Sequence, residues 1–163
     1  MTDLTVILLT YNEAGNIEAC LDSLQGLTAP LFVVDSYSTD TTLDILDSRG
    51  IPYVQHPFEN YSRQRNWAQD NLPEATEWVL HLDAGERCTP ELIHWLNTQF
   101  DPEAAVDGYM FSRRTIFFDH WIKRGGHYPN FHLRLYRRSK GHCEHKVYDQ
   151  HFVVDGKKEA VKA

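Results

Sequence analysis

Three short apolar runs in the first half of the chain each stop at a polar, mostly acidic loop, and that repeated stop restricts the folds available. Residues 4–9 give way to Thr10-Tyr11-Asn12-Glu13, residues 31–34 to Asp35-Ser36-Tyr37-Ser38-Thr39-Asp40, and residues 78–82 to Asp83-Ala84-Gly85-Glu86. The runs are short and apolar without alternation, as expected of strands buried on both faces. Helical patterns lie between them. Ile17, Cys20, Leu21 and Leu24 repeat at i, i+3, i+4 and i+7, and Asp40 is a good N-cap for a helix holding Leu43 and Leu46. Gly50 closes that helix, and residues 52–55 make a short further strand. Ser62 is placed to cap a helix running through Ala68 that carries Arg63, Arg65 and Asn66. Thr89-Pro90-Glu91 supplies an N-cap, an N1 proline and an early acid ahead of Leu92, Trp95 and Leu96. Residues 1–100 thus read β-α-β-α-β-α-β-α, which predicts a parallel sheet with helices on both faces and right-handed crossovers.

The pattern changes after residue 100. Gly108-Tyr109-Met110-Phe111, His132-Leu133-Arg134-Leu135-Tyr136 and His151-Phe152-Val153-Val154 read as strands, with a glycine- and aromatic-rich loop from Phe117 to Phe131. Residues 155–163 show no apolar pattern and are expected to fray. The chain's 163 residues suit one domain, divided into an α/β half over 1–100, a second part over 101–154 and the tail. No apolar run approaches the roughly 20 residues of a membrane helix, and Met1-Thr2-Asp3-Leu4 lacks the basic start of a signal peptide. Cys20, Cys88 and Cys143 are odd in number and form no CxxC pair, which suits free thiols in a reducing cytoplasm and argues against zinc or disulfides. The net charge is −7, and it is uneven: four basic residues stand against fifteen acidic ones in 1–100, and twelve against eight in 101–163. An acidic chain is a poor general nucleic-acid binder. A basic last third beside an acidic first part suits a small anion held between them.

The three acidic loops fall at the carboxyl ends of strands, where open α/β sheets bind ligands. There is no GxGxxG and no GxxxxGK[ST], which disfavours a Rossmann dehydrogenase or a P-loop enzyme. Carboxylates and hydroxyls accept instead from a base N–H and from ribose hydroxyls. A buried Asp35 on a base would read its identity, because an unpaired buried acceptor penalises the wrong one. Asp83 and Glu86 offer the oxygen ligands of a divalent cation, which would in turn hold phosphate. Taken alone, that last loop reads equally as an acidic turn facing solvent, and capping alone explains Asp40.

Together these segments resemble the family 2 nucleotide-sugar glycosyltransferases of the GT-A fold. The resemblance rests on Thr10-Tyr11-Asn12-Glu13 after the first strand, Val34-Asp35-Ser36-x-Ser38-x-Asp40-x-Thr42, Arg65-Asn66-x-Ala68 and Leu82-Asp83-Ala84-Gly85-Glu86. Asp107-Gly108-Tyr109, Arg113-Arg114, Gly125-Gly126-His127-Tyr128-Pro129 and residues 133–138 are similar to the subgroup that adds glucose-like sugars to bacterial lipopolysaccharide core and related glycans. The resemblance implies a Rossmann-like, mostly parallel sheet, a UDP-sugar donor and a glycan or glycolipid acceptor. It implies work in the cytoplasm or at the cytoplasmic face of the membrane. Thr10, Tyr11 and Glu13 would surround the nucleoside, with Asp35 on the base and Ser38 and Arg65 also on the nucleotide. Asp83, with Glu86, would hold Mg2+ or Mn2+ on the diphosphate, and Arg134 would stabilise the leaving-group charge.

The chain departs from the family pattern in three places. The subgroup's metal motif usually reads Asp-Ala-Asp-Glu, and here Gly85 stands at the third position. The subgroup has His followed by Glu, whereas His145 is followed by Lys146 and preceded by Glu144. An inverting transferase needs a carboxylate base for the acceptor hydroxyl, and Glu144 or Asp149 would serve. His145 is read either as a substrate-orienting or metal-binding residue or as a surface histidine. Family members commonly continue with further helices, so a short homologue or a truncation is expected. Two other readings remain open: an impaired nucleotide-sugar-binding protein on the same scaffold, suggested by Gly85 and Lys146, and a metal-dependent nucleotidyltransferase.

Overall fold

The computed structural model describes residues 3–112, 115–117, 120–122, 131–145 and 151–161. The first part alternates as the sequence predicts: β1 (Leu4–Thr10), α1 (Ile17–Ser23), β2 (Leu31–Asp35), α2 (Thr42–Ser48), β3 (Tyr53–Gln55), α3 (Tyr61–Asp70), β4 (Trp78–Asp83) and α4 (Pro90–Thr98). There follow β5 (Gly108–Ser112), β6 (Thr115–Phe117), β7 (His120–Ile122), β8 (Phe131–Arg137), β9 (Gly141–Cys143), β10 (Phe152–Val154) and β11 (Lys158–Val161). The main sheet runs β11-β5-β8-β4-β1-β2-β3. β1 lies parallel to both β2 and β4, whereas β8 is antiparallel to β4 and β5. The result is a mixed α/β fold with a mostly parallel central sheet.

β1 is buried at every position because helices cover both of its faces. Leu4, Val6 and Leu8 point with Leu80 and Leu82 into a core closed by Ile17, Leu21, Leu46, Ile93 and Leu96. Ile7 and Leu9 point the other way, with Val79 and Tyr136, against Ala68 of α3. Two-residue alternation in direction, with apolar residues on both sides, gives the unbroken hydrophobic runs.

Several expectations are corrected. Ser62 does not cap α3: Asn60 does, accepting from the Arg63 amide at 2.9 Å, while the buried Ser62 donates to the Cys143 carbonyl. Asp40 lies one residue before the cap of α2, and its Oδ1 still takes the Thr42 amide at 2.9 Å. Part of the expected 117–131 loop is strand, since His120–Ile122 pairs antiparallel with Thr115–Phe117. The tail is not frayed where it is described. Lys158–Val161 adds to the sheet edge parallel to β5, and a backbone ladder needs no apolar side-chain pattern. Gly156 permits the approach at φ +132, where a Cβ would collide with the Asp107 carboxylate. That carboxylate accepts from the Lys157 amide and pairs with Arg137 and Lys140.

β9 and β10 form a separate antiparallel hairpin laid over the α3 side of the sheet. A Cβ at Gly141 would run into the Tyr136 ring, so glycine lets the hairpin pass this close. α3 fastens it: Asn66 accepts from the Cys143 amide at 2.9 Å and donates to its carbonyl at 3.0 Å, and Gln69 donates to the Gly141 carbonyl at 2.7 Å.

Candidate active site

Parallel pairing brings the three acidic loops to one edge. Thr10 pairs with Asp35 across β1 and β2, and Leu9 pairs with Asp83 across β1 and β4. The β1 and β2 ends are joined by hydrogen bonds. Asp35 is fully buried. Its Oδ1 accepts from Thr10 Oγ1 at 2.8 Å and Ser38 Oγ at 2.6 Å, and its Oδ2 accepts from the Ser38 amide at 2.8 Å and Gln55 Nε2 at 3.2 Å. The carboxylate therefore shapes its own loop here, on internal donors. Asn12 Oδ1 receives the Thr39 amide at 2.8 Å, and the Glu13 amide donates to Thr42 Oγ1 at 2.9 Å. The Glu13 carbonyl accepts the Ile17 amide at 2.8 Å and so starts α1. Hydrogen bonds from Thr42, with one from the Ala14 amide, hold the Asp40 carboxyl below its ordinary range. Two non-glycine residues in these loops have left-handed backbone, Asn12 at φ 49 and Tyr37 at φ 62, and for a bulky residue such as tyrosine this is uncommon. Tyr11 and Tyr37 stay more than half exposed.

The β4 end is built differently. Asp83 and Glu86 close a turn, the Glu86 amide donating to the Asp83 carbonyl and the Asp83 amide to Glu86 Oε1, both at 2.9 Å. Each carboxylate meets an arginine. Arg65 of α3 donates through Nη2 to Asp83 Oδ1. Arg134 of β8 grips Glu86 with two parallel bonds, at 2.7 and 2.9 Å, and also donates to the His81 carbonyl at 3.2 Å. Such fork-on-carboxylate pairing is strong and directional. The Phe152 ring lies between them, 5.1 Å from the Arg65 guanidinium carbon and 6.0 Å from that of Arg134.

Beneath this turn sits a residue the sequence reading missed. His81 is buried, stacked on Phe152 at 4.5 Å, with Nε2 3.1 Å from the Tyr136 hydroxyl and 3.3 Å from Gln69 Oε1. Burial first, then the positive charges of Arg65 and Arg134, push its pKa well below 6.5, so it stays neutral and acts as packing. Strand alternation was the available signal, since His81 and Asp83 share a face of β4. Cys20 and Cys88 are also buried, and burial pushes both thiols up to about 12, which makes them inert.

Glu144 follows β9, directly after the Cys143 that α3 holds. Its Oε1 accepts from the His151 amide at 3.2 Å and lies 3.4 Å from His151 Nδ1. His145 is exposed and stacks on His142 at 5.8 Å. Asp149, Lys146, Arg113-Arg114 and the 125–129 segment lie outside the described residues.

Residues 5–153 match glycosyl transferase family 2. The chain belongs to that family. It is 34% identical over 89 residues to an uncharacterized glycosyltransferase of Rickettsia bellii (strain RML369-C), which covers 55% of this chain and 30% of that one. Among solved structures it is similar to S. aureus TarS 1–349 in complex with UDP, with TM-score 0.61 and 20% identity over 85% of this chain and 47% of that one. It is also similar to glucosyl-3-phosphoglycerate synthase from Mycobacterium tuberculosis in complex with Mn2+, UDP and glucosyl-3-phosphoglycerate, with TM-score 0.52 and 20% identity over 66% of this chain and 43% of that one. These structures share the GT-A, Rossmann-like fold. The chain spans under a third of the length of the curated relative and under half of the solved neighbours.

The mycobacterial synthase is solved with Mn2+ and UDP, and the residues present here bear unequally on such a cation. Among the described residues no three His, Cys, Asp or Glu side chains converge. Both oxygens of Glu86 are taken by Arg134. Asp83 keeps 41% of its side chain exposed at the turn. One exposed carboxylate fits a Mg2+ or Mn2+ that keeps waters and takes its other ligands from phosphate. It does not fit a cation caged by protein groups alone.

Proposed function

We propose that this chain transfers a glucose-like sugar from a UDP-sugar to a hydroxyl of a glycan or glycolipid, with inversion, and that it stands near the lipopolysaccharide-core subgroup. The observation that carries this reading is the juxtaposition of Thr10, Asp35 and Asp83 at one sheet edge, with two guanidiniums beside them. The nucleoside lies over the Thr10–Glu13 and Asp35–Ser38 loops, where exposed Tyr11 and Tyr37 offer stacking faces. The diphosphate lies toward Asp83, which would hold Mg2+ or Mn2+, with Arg65 and Arg134 as the donors that offset leaving-group charge in a water-poor site. Glu144 or Asp149 takes the acceptor proton. The UDP held by TarS and by the mycobacterial synthase, and the Mn2+ of the latter, support this choice of donor and cation. Among the described residues no helix is long and apolar enough to cross a membrane, and we place the work at the cytoplasmic face through peripheral contact.

Calorimetric titration of UDP and UDP-glucose, with and without Mn2+, tests the donor site, and absence of UDP binding under both conditions sinks the reading. Transfer is then assayed with lipid-linked and core-oligosaccharide acceptors, using a longer homologue for comparison. A second reading, a scaffold that binds the donor without turnover, is favoured by Gly85 together with the capture of Glu86 by Arg134. UDP binding without donor hydrolysis or transfer would support it.

A further inference from the structure

Arg65 is the more confined partner of its ion pair, with 9% of its side chain exposed against 41% for the Asp83 carboxylate it grips. Its guanidinium is unevenly used. Nη2 donates to Asp83 Oδ1, whereas Nη1 is buried and, among the described residues, meets no acceptor. Leaving a charged donor buried and unpaired costs more than leaving a neutral one. Arg134 is the contrast, since both of its terminal nitrogens bond Glu86 and one also bonds the His81 carbonyl. One guanidinium is satisfied, and the other has a donor waiting for an acceptor.

Arg65 also occupies one of the two carboxylate oxygens that Asp83 could offer a cation. Mg2+ and Mn2+ require carboxylate oxygen at contact distance, and a second positive charge on the same carboxylate is repelled by the first. The neighbouring position offers no alternative ligand, because Gly85 has no side chain, and Glu86 is held elsewhere. We propose that Arg65 and a divalent cation compete for Asp83, so that the cation binds only after the diphosphate of the donor has drawn Arg65 away. This rests on the donor-site reading above. A phosphate oxygen satisfies Nη1, the guanidinium turns from Asp83 to the anion, and Asp83 then accepts the metal that the same diphosphate shares. Linkage makes the effect reciprocal: the factor by which UDP tightens Mn2+ is the factor by which Mn2+ tightens UDP.

The test titrates Mn2+ by electron paramagnetic resonance against the wild type and Arg65→Met, each with and without saturating UDP. Arg65→Met is expected to bind Mn2+ alone about tenfold more tightly than the wild type, within the usual range of coupling between sites. The tightening produced by UDP is expected to shrink in the variant. Adding Asp83→Asn to Arg65→Met is expected to abolish the gain. Equal Mn2+ affinity in the wild type and a folded Arg65→Met overturns the proposal. If circular dichroism shows Arg65→Met unfolded, Arg65→Lys replaces it: its shorter, single-point charge is expected to give an intermediate Mn2+ affinity, and an unchanged one counts equally against the competition. Wild-type protein that never binds UDP removes the donor-site reading instead, while the comparison of Mn2+ alone still decides the competition.

Discussion

The two halves of the sheet's carboxyl edge solve one problem in opposite ways. At the β1 and β2 ends, the buried Asp35 carboxylate is fixed by hydroxyl, amide and carboxamide donors from Thr10, Ser38 and Gln55. At the β4 end, the Asp83 and Glu86 carboxylates are balanced by arginines borrowed from α3 and β8. Neutral donors on short side chains make a finished surface that a ligand can only lie against. A guanidinium can leave one anion for another. The first half is built for shape, and the second for exchange.

Asp35→Ala breaks the comparison hardest. It strands several buried donors, and unfolding free energy is expected to fall by about 3 kcal/mol or more in a urea melt. Asp83→Ala is expected to act on binding instead, weakening Mn2+-dependent UDP affinity by about tenfold in calorimetry (about 1.4 kcal/mol). Glu86→Ala should cost less in that assay, because its oxygens belong to Arg134. An equal loss for the two acids would place the metal differently. Gly85→Asp sharpens the contrast. A Cβ there meets nothing within 4 Å, and the backbone needs no positive φ, so the variant should fold normally and raise Mn2+ affinity several-fold by the same measurement. The smallest effect is on pH dependence. His81 is held neutral in the fold, so the unfolded chain takes up a proton that the folded one refuses, and stability should decline as pH drops below about 6.5. His81→Leu should flatten that part of the profile, and an unchanged slope would assign it elsewhere.

Much of the fold was legible because strands covered on both faces leave unbroken apolar runs, and β1, β2 and β4 are such strands. Their carboxyl ends then followed from the parallel order, which is why Thr10, Asp35 and Asp83 were found together. The edge strand β11 was not legible: Val161 alone among its residues is buried, and ladder bonds leave no trace in side-chain type. The cap of α3 was misassigned to Ser62, because Asn60, two residues earlier, is an equally good capping type and the one the helix uses. The pairing of Arg65 with Asp83 joins α3 to β4 across opposite ends of a connection, and only the packing of α3 on the His81 side of the sheet decides it. Nothing in composition marks Phe152 as the ring between two guanidiniums. Asp35 was foreseen as a buried acceptor, though not as one so fully engaged by its own loop.

Arg65 and Asn66 are consecutive on α3, one reaching Asp83 and the other bonded to both the backbone N–H and the carbonyl of Cys143. A single peptide bond thus separates the contact with Asp83 from the anchor of the hairpin that ends at Glu144. Any tilt of this helix is a lever with both loads on one arm: the Asp83 contact and the Cys143 anchor travel together, and on the proposed reading the leaving group and the base would keep a spacing written into adjacent residues of the chain.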